Sequence, residues 1–281
     1  MANSAGRVPD RSAGRGPEGL AGVLLAPVRG HAFETCVGQL ATAIRLGVFP
    51  TGSVFPPERE LAAQLGVSRT TLRESIAALR SAGMITTARG RGGGSRVAYR
   101  PPEPGAGHAE RIAGRRWEWV EALQFRRIVE PGACYVAAGR VLGAADRDRL
   151  RVCEREAREA PGTGAHRQAD ARLHLAIAAA SGSRMLMDAV TTVQAALHEM
   201  LLAIPVLDRN IEHSTAQHAA IVTAILAGNP AAARRAMEQH CDDTAALLRG
   251  LLGLPDERTE EPAGTAAHAS ADEPAPPREG P

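Results

Sequence analysis

The feature that most constrains this chain is a pair of helical patterns separated by a single glycine. A first helix is predicted for ERELAAQL (58–65), Gly66 interrupts it, and a second helical pattern begins after Ser68 and continues to about Ala82. Ser68 is a good N-cap because its hydroxyl can accept a hydrogen bond from the first turn. Two helices joined by so short a turn are typical of a helix-turn-helix motif.

The residues around this pair complete a small domain. Two short strands, MITTA (84–88) and SRVAY (95–99), flank the glycine-rich turn RGRGGG (89–94) and predict a β-hairpin wing. An earlier helix is predicted from the apolar stripe of residues 33–44, which Gly47 ends. The sequence therefore predicts three helices followed by a wing.

The remaining chain divides by composition. Residues 101–114 are predicted to be a linker, and residues 115–253 contain only helical patterns, which predict an antiparallel all-α bundle. The predicted helices are 115–141, 146–160, 166–181, 184–204, 211–227 and 230–253. Both ends, 1–28 and 254–281, lack apolar periodicity and are predicted to be disordered. The predicted fold is mainly α, with a winged helix-turn-helix domain at 29–100.

Charge is distributed unevenly along the chain. The net charge is +2, but residues 29–100 carry ten arginines against four acids, and residues 254–281 carry two against seven. A basic block of this kind is typical of a domain that meets phosphate. Four scattered cysteines without C-x-x-C pairing, and the lack of a signal peptide or a long apolar run, predict a cytoplasmic, nucleoid-associated protein.

The second helix of the pair has the composition of a DNA-reading helix. SRTTLRES (68–75) turns Thr70 and Arg73 outward and leaves Arg69 at the exposed N-terminal end. Arginine can read guanine with two hydrogen bonds, and threonine can contact phosphate or the thymine methyl group. The alternative is that these arginines form only a solvated face.

Three histidines and one aspartate in the bundle predict a metal site. Asp170 and His174 lie four residues apart on one helical face, while His218 and His240 belong to two later helices and lie on apolar stripes. Such a set suits zinc, nickel or manganese. The alternative is that each histidine is a satisfied core residue.

Residues 49–85 resemble the winged helix-turn-helix of GntR-family regulators, in the pattern E-R-E-L-A-x-x-L-G-V-S-R-x-x-x-R-E. The resemblance implies a phosphate contact from the second helix, base and backbone contacts from the third, and wing contacts. With Ser68 at the start of the third helix, the predicted DNA-binding residues are Arg59, Ser68, Arg69, Thr70, Thr71, Arg73, Arg89 and Gly90. Two departures are Pro57 in place of a capping serine and GGGSR (92–96) in place of a tighter wing.

The bundle resembles the FCD effector domain of the FadR-like GntR subfamily. The resemblance lies in D-x-x-x-H at Asp170 and His174, in His218 before A-I-L-A-G-N-P, and in His240 of A-M-x-x-H. It implies that these four residues hold a divalent metal that leaves positions open for water or an effector.

A metal with open positions beside an arginine suits a small organic acid. Arg127 is matched to the R-x-x-L-E motif of the family's first effector helix and is predicted to face the pocket; the alternative is an ion pair with Glu130 or a neighbouring helix. His198 is predicted to line the same cavity.

These features together predict a homodimeric repressor that binds palindromic operator DNA, with its affinity controlled by a small carboxylate and a metal. No catalytic residues are predicted. Two alternatives are a metal-dependent hydrolase fused to a DNA-binding domain and an architectural DNA-binding dimer that has no effector.

Overall fold

The computed structural model of the protein describes Leu20, Leu25 and residues 32–88, 94–102, 106–205 and 207–255. Within these residues the chain forms ten helices and one two-stranded antiparallel sheet. The first half is a winged domain, and the second half is a helical domain. This arrangement confirms the predicted fold class.

The winged domain contains three helices and a hairpin, as the sequence predicts. Its elements are α1 Ala32–Arg45, α2 Glu58–Leu65, α3 Arg69–Ser81, β1 Ile85–Ala88 and β2 Gly94–Val97. Leu72, Ile76 and Leu79 bury one face of α3, since positions three and four apart share a helix face. Gly66 ends α2 at a φ of 64°, a left-handed conformation that glycine adopts without steric cost.

The helical domain begins earlier than expected, because the predicted linker 101–114 contains a helix. Its elements are α4 Ala106–Ala113, α5 Arg116–Ala138, α6 Ala144–Glu159, α7 Gly162–Ala180, α8 Arg184–Leu202, α9 Asp208–Leu226 and α10 Pro230–Leu252. Ile112 of α4 is buried, and its carbonyl oxygen accepts a hydrogen bond from the indole of Trp119. The predicted linker 101–114 therefore includes a helix, which burial of Ile112 stabilises.

Two leucines of the N-terminal segment are also ordered. Leu20 and Leu25 are 3% and 2% exposed and belong to the same apolar cluster as Leu40 of α1. The prediction that 1–28 is disordered is wrong at these two positions, because each leucine removes an apolar side chain from water. The rest of 1–28 and residues 256–281 lie outside the described residues.

Helix α7 lies in the middle of the helical domain. It contacts α6 on one side and α8 on the other, and it also contacts α5. Most of its residues after His166 are buried, as expected for a helix that is covered around much of its circumference. This position brings side chains on different faces of α7 to two different surroundings.

Candidate functional site

Three histidines from three helices meet inside the helical domain. His174 on α7, His218 on α9 and His240 on α10 are 1%, 2% and 3% exposed. Their ring centroids lie 4.7 to 5.4 Å apart, and one ring nitrogen of each lies within 4.8 Å of the other two. Imidazole nitrogens at this spacing can share one divalent cation.

Asp170 borders this histidine cluster. It lies one turn before His174 on α7, and its Oδ1 is 3.4 Å from Nε2 of His218. Burial opposes ionisation of this carboxyl group, but the neighbouring His218 and His174 hold its pKa below the ordinary value. The side chain is 14% exposed and therefore adds a carboxylate at the edge of the cluster.

The electrostatics of the cluster suit a metal. Burial lowers the pKa of His218 to about 4 and that of His240 well below its usual value, so both rings are neutral at pH 7 and keep a lone pair. Both ring nitrogens of His174 and both of His218 are buried without a hydrogen bond among the described residues. Unpaired buried nitrogens cost free energy, and metal ligation would remove that cost.

A buried carboxylate orients one of these rings. Glu130 of α5 lies 2.9 Å from Nδ1 of His174, accepts hydrogen bonds from Arg126 and Gln194, and is 1% exposed. Burial opposes its ionisation, but Arg126 and His174 outweigh that effect and lower its pKa to about 2. A carboxylate on Nδ1 leaves Nε2 as the metal ligand. The sequence analysis missed this role, although the spacing of four between Arg126 and Glu130 was visible.

A cavity opens beside the histidine cluster. Its walls include the apolar side chains Leu197, Leu201, Ile204 and Leu247 and the polar side chains Arg126, His166, Arg167, Asp170 and His240. Arg126 is 2% exposed, and both of its terminal nitrogens are buried with no hydrogen-bond partner in the part of the chain that the structure describes. A guanidinium with two such donors matches the two oxygens of a carboxylate.

Most of the predicted DNA-binding residues that the structure describes are exposed on α2, on α3 or at the start of α3. The exposed ones are Arg59, Ser68, Arg69, Thr70 and Arg73, and Thr71 is half-buried. Ser68 caps α3, since its Oγ accepts a hydrogen bond from the amide of Thr71 at 3.0 Å. Arg73 forms a 2.7 Å ion pair with Glu58 of α2. Arg89 and Gly90 lie outside the described residues.

Comparison with known proteins identifies both halves. The model of "Bacterial regulatory proteins, gntR family" matches residues 34–94, and the model of the "FCD domain" matches residues 121–243. The "Putative L-lactate dehydrogenase operon regulatory protein" of Escherichia coli strain K12 is 32% identical over 233 residues, which cover 74% of this chain and 87% of that protein. The chain belongs to the GntR family.

One further relative and one solved structure are also similar to this chain. The "Glc operon transcriptional activator" of Escherichia coli strain K12 is 31% identical over 209 residues, which cover 69% of this chain and 80% of that protein. Among solved structures, Streptococcus agalactiae GntR aligns with 78% of this chain and 99% of its own, at 22% identity and a TM-score of 0.40.

This GntR-family protein is a DNA-binding transcriptional regulator with an FCD domain, and it is not an enzyme. The hydrolase alternative is therefore dropped. None of the helices in the described residues is long and apolar enough to cross a membrane.

The structure corrects the expected position of Arg127 in this GntR-family regulator. Arg127 contacts Asp242 and Glu238 of α10 at 2.5 Å and 3.3 Å and is 38% exposed. It occupies the surface ion pair that the sequence analysis left as the alternative. Adjacent helix residues point about 100° apart, so only Arg126, four residues before Glu130, shares its inward face. The R-x-x-L-E motif thus corresponds to Arg126 through Glu130.

The structure also corrects the expected position of His198. This residue is 4% exposed, but it lines a separate pocket between α1 and α8, with Thr42, Arg45 and Trp119 among its neighbours. Burial lowers its pKa to about 4. It lies outside the set of residues that line the cavity beside the histidine cluster.

Proposed function

We propose that this GntR-family regulator is a repressor whose operator affinity is set by a small carboxylate bound in the cavity beside the histidine cluster. The single observation that carries the proposal is the position of Arg126. Arg126 lines the same cavity as His240 and Asp170, and both of its terminal nitrogens are buried without a hydrogen-bond partner among the described residues. A buried cation without a partner for its outer donors favours an anionic ligand.

Asp170, His174, His218 and His240 would hold zinc, nickel or manganese. Three imidazoles and one carboxylate fit such an ion, and the buried unpaired nitrogens of His174 and His218 support the assignment. A bound metal supplies a Lewis-acidic cation on which a carboxylate oxygen can bind. The chain's own contribution is to keep His218 and His240 neutral by burial, to orient His174 through Glu130, and to face the ligand with Arg126.

The apolar part of the cavity limits the ligand to a small organic acid. Six leucine and isoleucine side chains line the cavity together with the polar groups, so a short carbon chain fits better than a second charged group. The name of the Escherichia coli relative refers to L-lactate, which is a molecule of this class. We infer a carboxylate of similar size as the effector.

Two copies of the chain would bind a palindromic operator, because one winged domain reads only one half-site.

The outer face of α5 fits the role of dimer contact. Phe125, Ile128 and Tyr135 are exposed there by 42%, 71% and 51%, and they are spaced with Gly132 by three, four and three residues. This spacing is that of a helix-pairing seam. Exposed apolar side chains in one stripe are typical of a protein interface.

A gel shift on the DNA upstream of the gene tests the proposal. The protein is compared as purified, after chelator treatment, and with zinc, nickel or manganese, each with a panel of mono- and dicarboxylates. We expect one small acid to weaken operator binding by about 5- to 150-fold, the usual range of allosteric coupling. Deletion of the gene should raise transcription from the bound promoter, whereas a fall would indicate an activator. Metal-free protein that ignores every acid would instead support the architectural dimer.

A further inference from the structure

One face of α7, called here the seat, contacts the winged domain and the segment that connects the two domains. Gly164, Gln168 and Arg172 are spaced by four residues and therefore form one stripe along this helix. A Cβ added to Gly164 would lie 3.3 Å from the side chain of Pro101, in the segment that connects the two domains. Gln168 and Arg172 continue the same line of contact toward α1.

Gln168 caps the end of α1. Its side-chain amide donates hydrogen bonds to the carbonyl oxygens of Ile44 and Arg45, at 3.1 and 3.2 Å. The last carbonyl groups of a helix lack partners within the helix. Gln168 therefore supplies a donor from the helical domain to the Arg45 carbonyl and a second donor to the Ile44 carbonyl, which also accepts from the amide of Gly47.

Gly47 fits closely against the same stripe. Its φ is +71°, and a Cβ at this position would lie 2.7 Å from Cβ of Gln168 and 2.9 Å from Nη1 of Arg172. Arg172 in turn donates to the carbonyl oxygen of Gly47 at 3.4 Å and forms a 2.9 Å ion pair with Glu156 of α6. Both the backbone conformation and the space require glycine here.

The opposite face of α7 carries the histidine cluster. Asp170 and His174 follow Gln168 and Arg172 by two residues each, which is a rotation of about 200° around the helix. A helix of 19 residues is stiff over this length, so a displacement imposed on one face is carried to the other. Helix α7 therefore carries both a histidine of the cluster and side-chain hydrogen bonds to the end of α1.

We propose that α7 transmits occupancy of the histidine cluster to the winged domain through Gln168, Arg172 and Gly47. The inference rests on the proposed function, because it requires a metal at the cluster. The contact is made in one state of the helical domain and weakened in the other, which changes how freely the two winged domains of a dimer reorient on DNA. A ligand acts in this way only if it binds one of the two states better.

The test uses the full-length protein and Zn²⁺ as the probe. Zinc affinity is measured by competition with a coloured chelator, and operator affinity is measured with zinc and with a chelator. The ratio of the two operator affinities reports the coupling. The variant is Gln168→Ala/Arg172→Ala, and the control is Arg151→Ala, which removes a surface ion pair with Asp148.

We expect the zinc affinity of the double variant to stay within about threefold of the wild-type value. The ratio of its operator affinities with zinc and with a chelator should fall to within about twofold of one. An unchanged ratio in the double variant would overturn the inference and leave the metal proposal intact. If zinc binds the wild-type protein without changing its operator affinity, the inference is overturned and the metal proposal stands. A wild-type protein that fails to bind zinc would overturn both.

A pair of glycine variants distinguishes loss of this contact from a general loss of stability. Gly47→Ala and Gly83→Ala place a Cβ at the same φ of +71°, but at Gly83 nothing lies within 4 Å of it. Both should lower the thermal midpoint through backbone strain. Only Gly47→Ala should reduce the ratio and speed amide hydrogen exchange at residues 46–48. Equal behaviour of the two variants would contradict the proposed seat.

Discussion

The carboxylate of Glu130 lies 2.9 Å from Nδ1 of His174, and both side chains are almost fully buried. Glu130 comes from α5 and His174 from α7, so the orientation of the ring depends on how these two helices pack. With a carboxylate beside Nδ1, Nε2 is the nitrogen of His174 that is available to a metal.

Loss of the Glu130 charge should weaken metal binding. In Glu130→Gln, we expect metal affinity to fall by about 10- to 100-fold, because a neutral amide orients His174 less firmly and lowers its basicity. Competition with a coloured chelator measures this affinity. The control is Glu121→Gln on the exposed side of the same helix. Wild-type affinity in Glu130→Gln would show that Glu130 does not support the ligand set.

Adjacent arginines should differ in their effect on the carboxylate response. Arg126→Gln should abolish the release of operator DNA by the organic acid, because it removes the unpaired donors in the cavity. Arg127→Gln should leave the response unchanged, since it breaks only surface ion pairs. Gel shifts with and without the acid measure both effects. Equal responses in the two variants would contradict the assignment of Arg126.

Buried His198 should make the metal-free protein less stable in acid. Its pKa is about 4 in the folded state and 6.5 by its ordinary value. Between these values the unfolded chain holds a proton that the folded chain lacks, so lowering the pH reduces the free energy of unfolding. The slope from this residue is about 1.4 kcal/mol per pH unit, and it vanishes above about pH 6.5.

Urea unfolding between pH 7.5 and 4 measures that slope. His198→Gln should remove one proton's contribution, whereas His213→Gln, which changes a side chain that is 58% exposed, serves as the control for loss of a histidine. A His198→Gln curve that runs parallel to the wild-type curve between pH 6.5 and 4 would be inconsistent with a neutral buried ring.

Substitutions on the DNA-binding face should separate base reading from phosphate contact. Arg69→Ala should cost about 1 to 3 kcal/mol and relax sequence preference, because Arg69 lies at the start of α3. Arg59→Ala should weaken binding to all sequences alike and reduce the salt slope by about one. Titrations at several salt concentrations, on operator and random duplex, distinguish the two. If neither variant weakens binding, the proposed face is wrong.

A charge on the outer seam of α5 should dissociate the dimer. Ile128→Arg places a charge at a position that is 71% exposed in the single chain and would be buried in the pair. Light scattering should then report the mass of a monomer. Met185→Arg alters a residue that is 84% exposed on α8 and should remain dimeric. A dimeric Ile128→Arg protein would place the contact elsewhere.

The sequence by itself determined the local elements. The helix pair around Gly66, the cap at Ser68, the hairpin, and the start of α10 at Asn229 and Pro230 depend on neighbouring residues, and the structure has all of them. Helical periodicity also identified which histidines point inward. These features follow from backbone geometry and side-chain spacing within a few residues of each other.

Only the tertiary structure decided which inward side chains meet. The sequence assigned the cavity to Arg127 and His198. Packing of α5 on α7 and α10 instead turns Arg126 inward, and His198 lines a separate pocket together with residues of α1. Contacts such as Gln168 with Ile44 join residues more than 120 positions apart. A change of one helix residue rotates a side chain by about 100°, so such contacts depend on the packing of whole helices and not on local spacing.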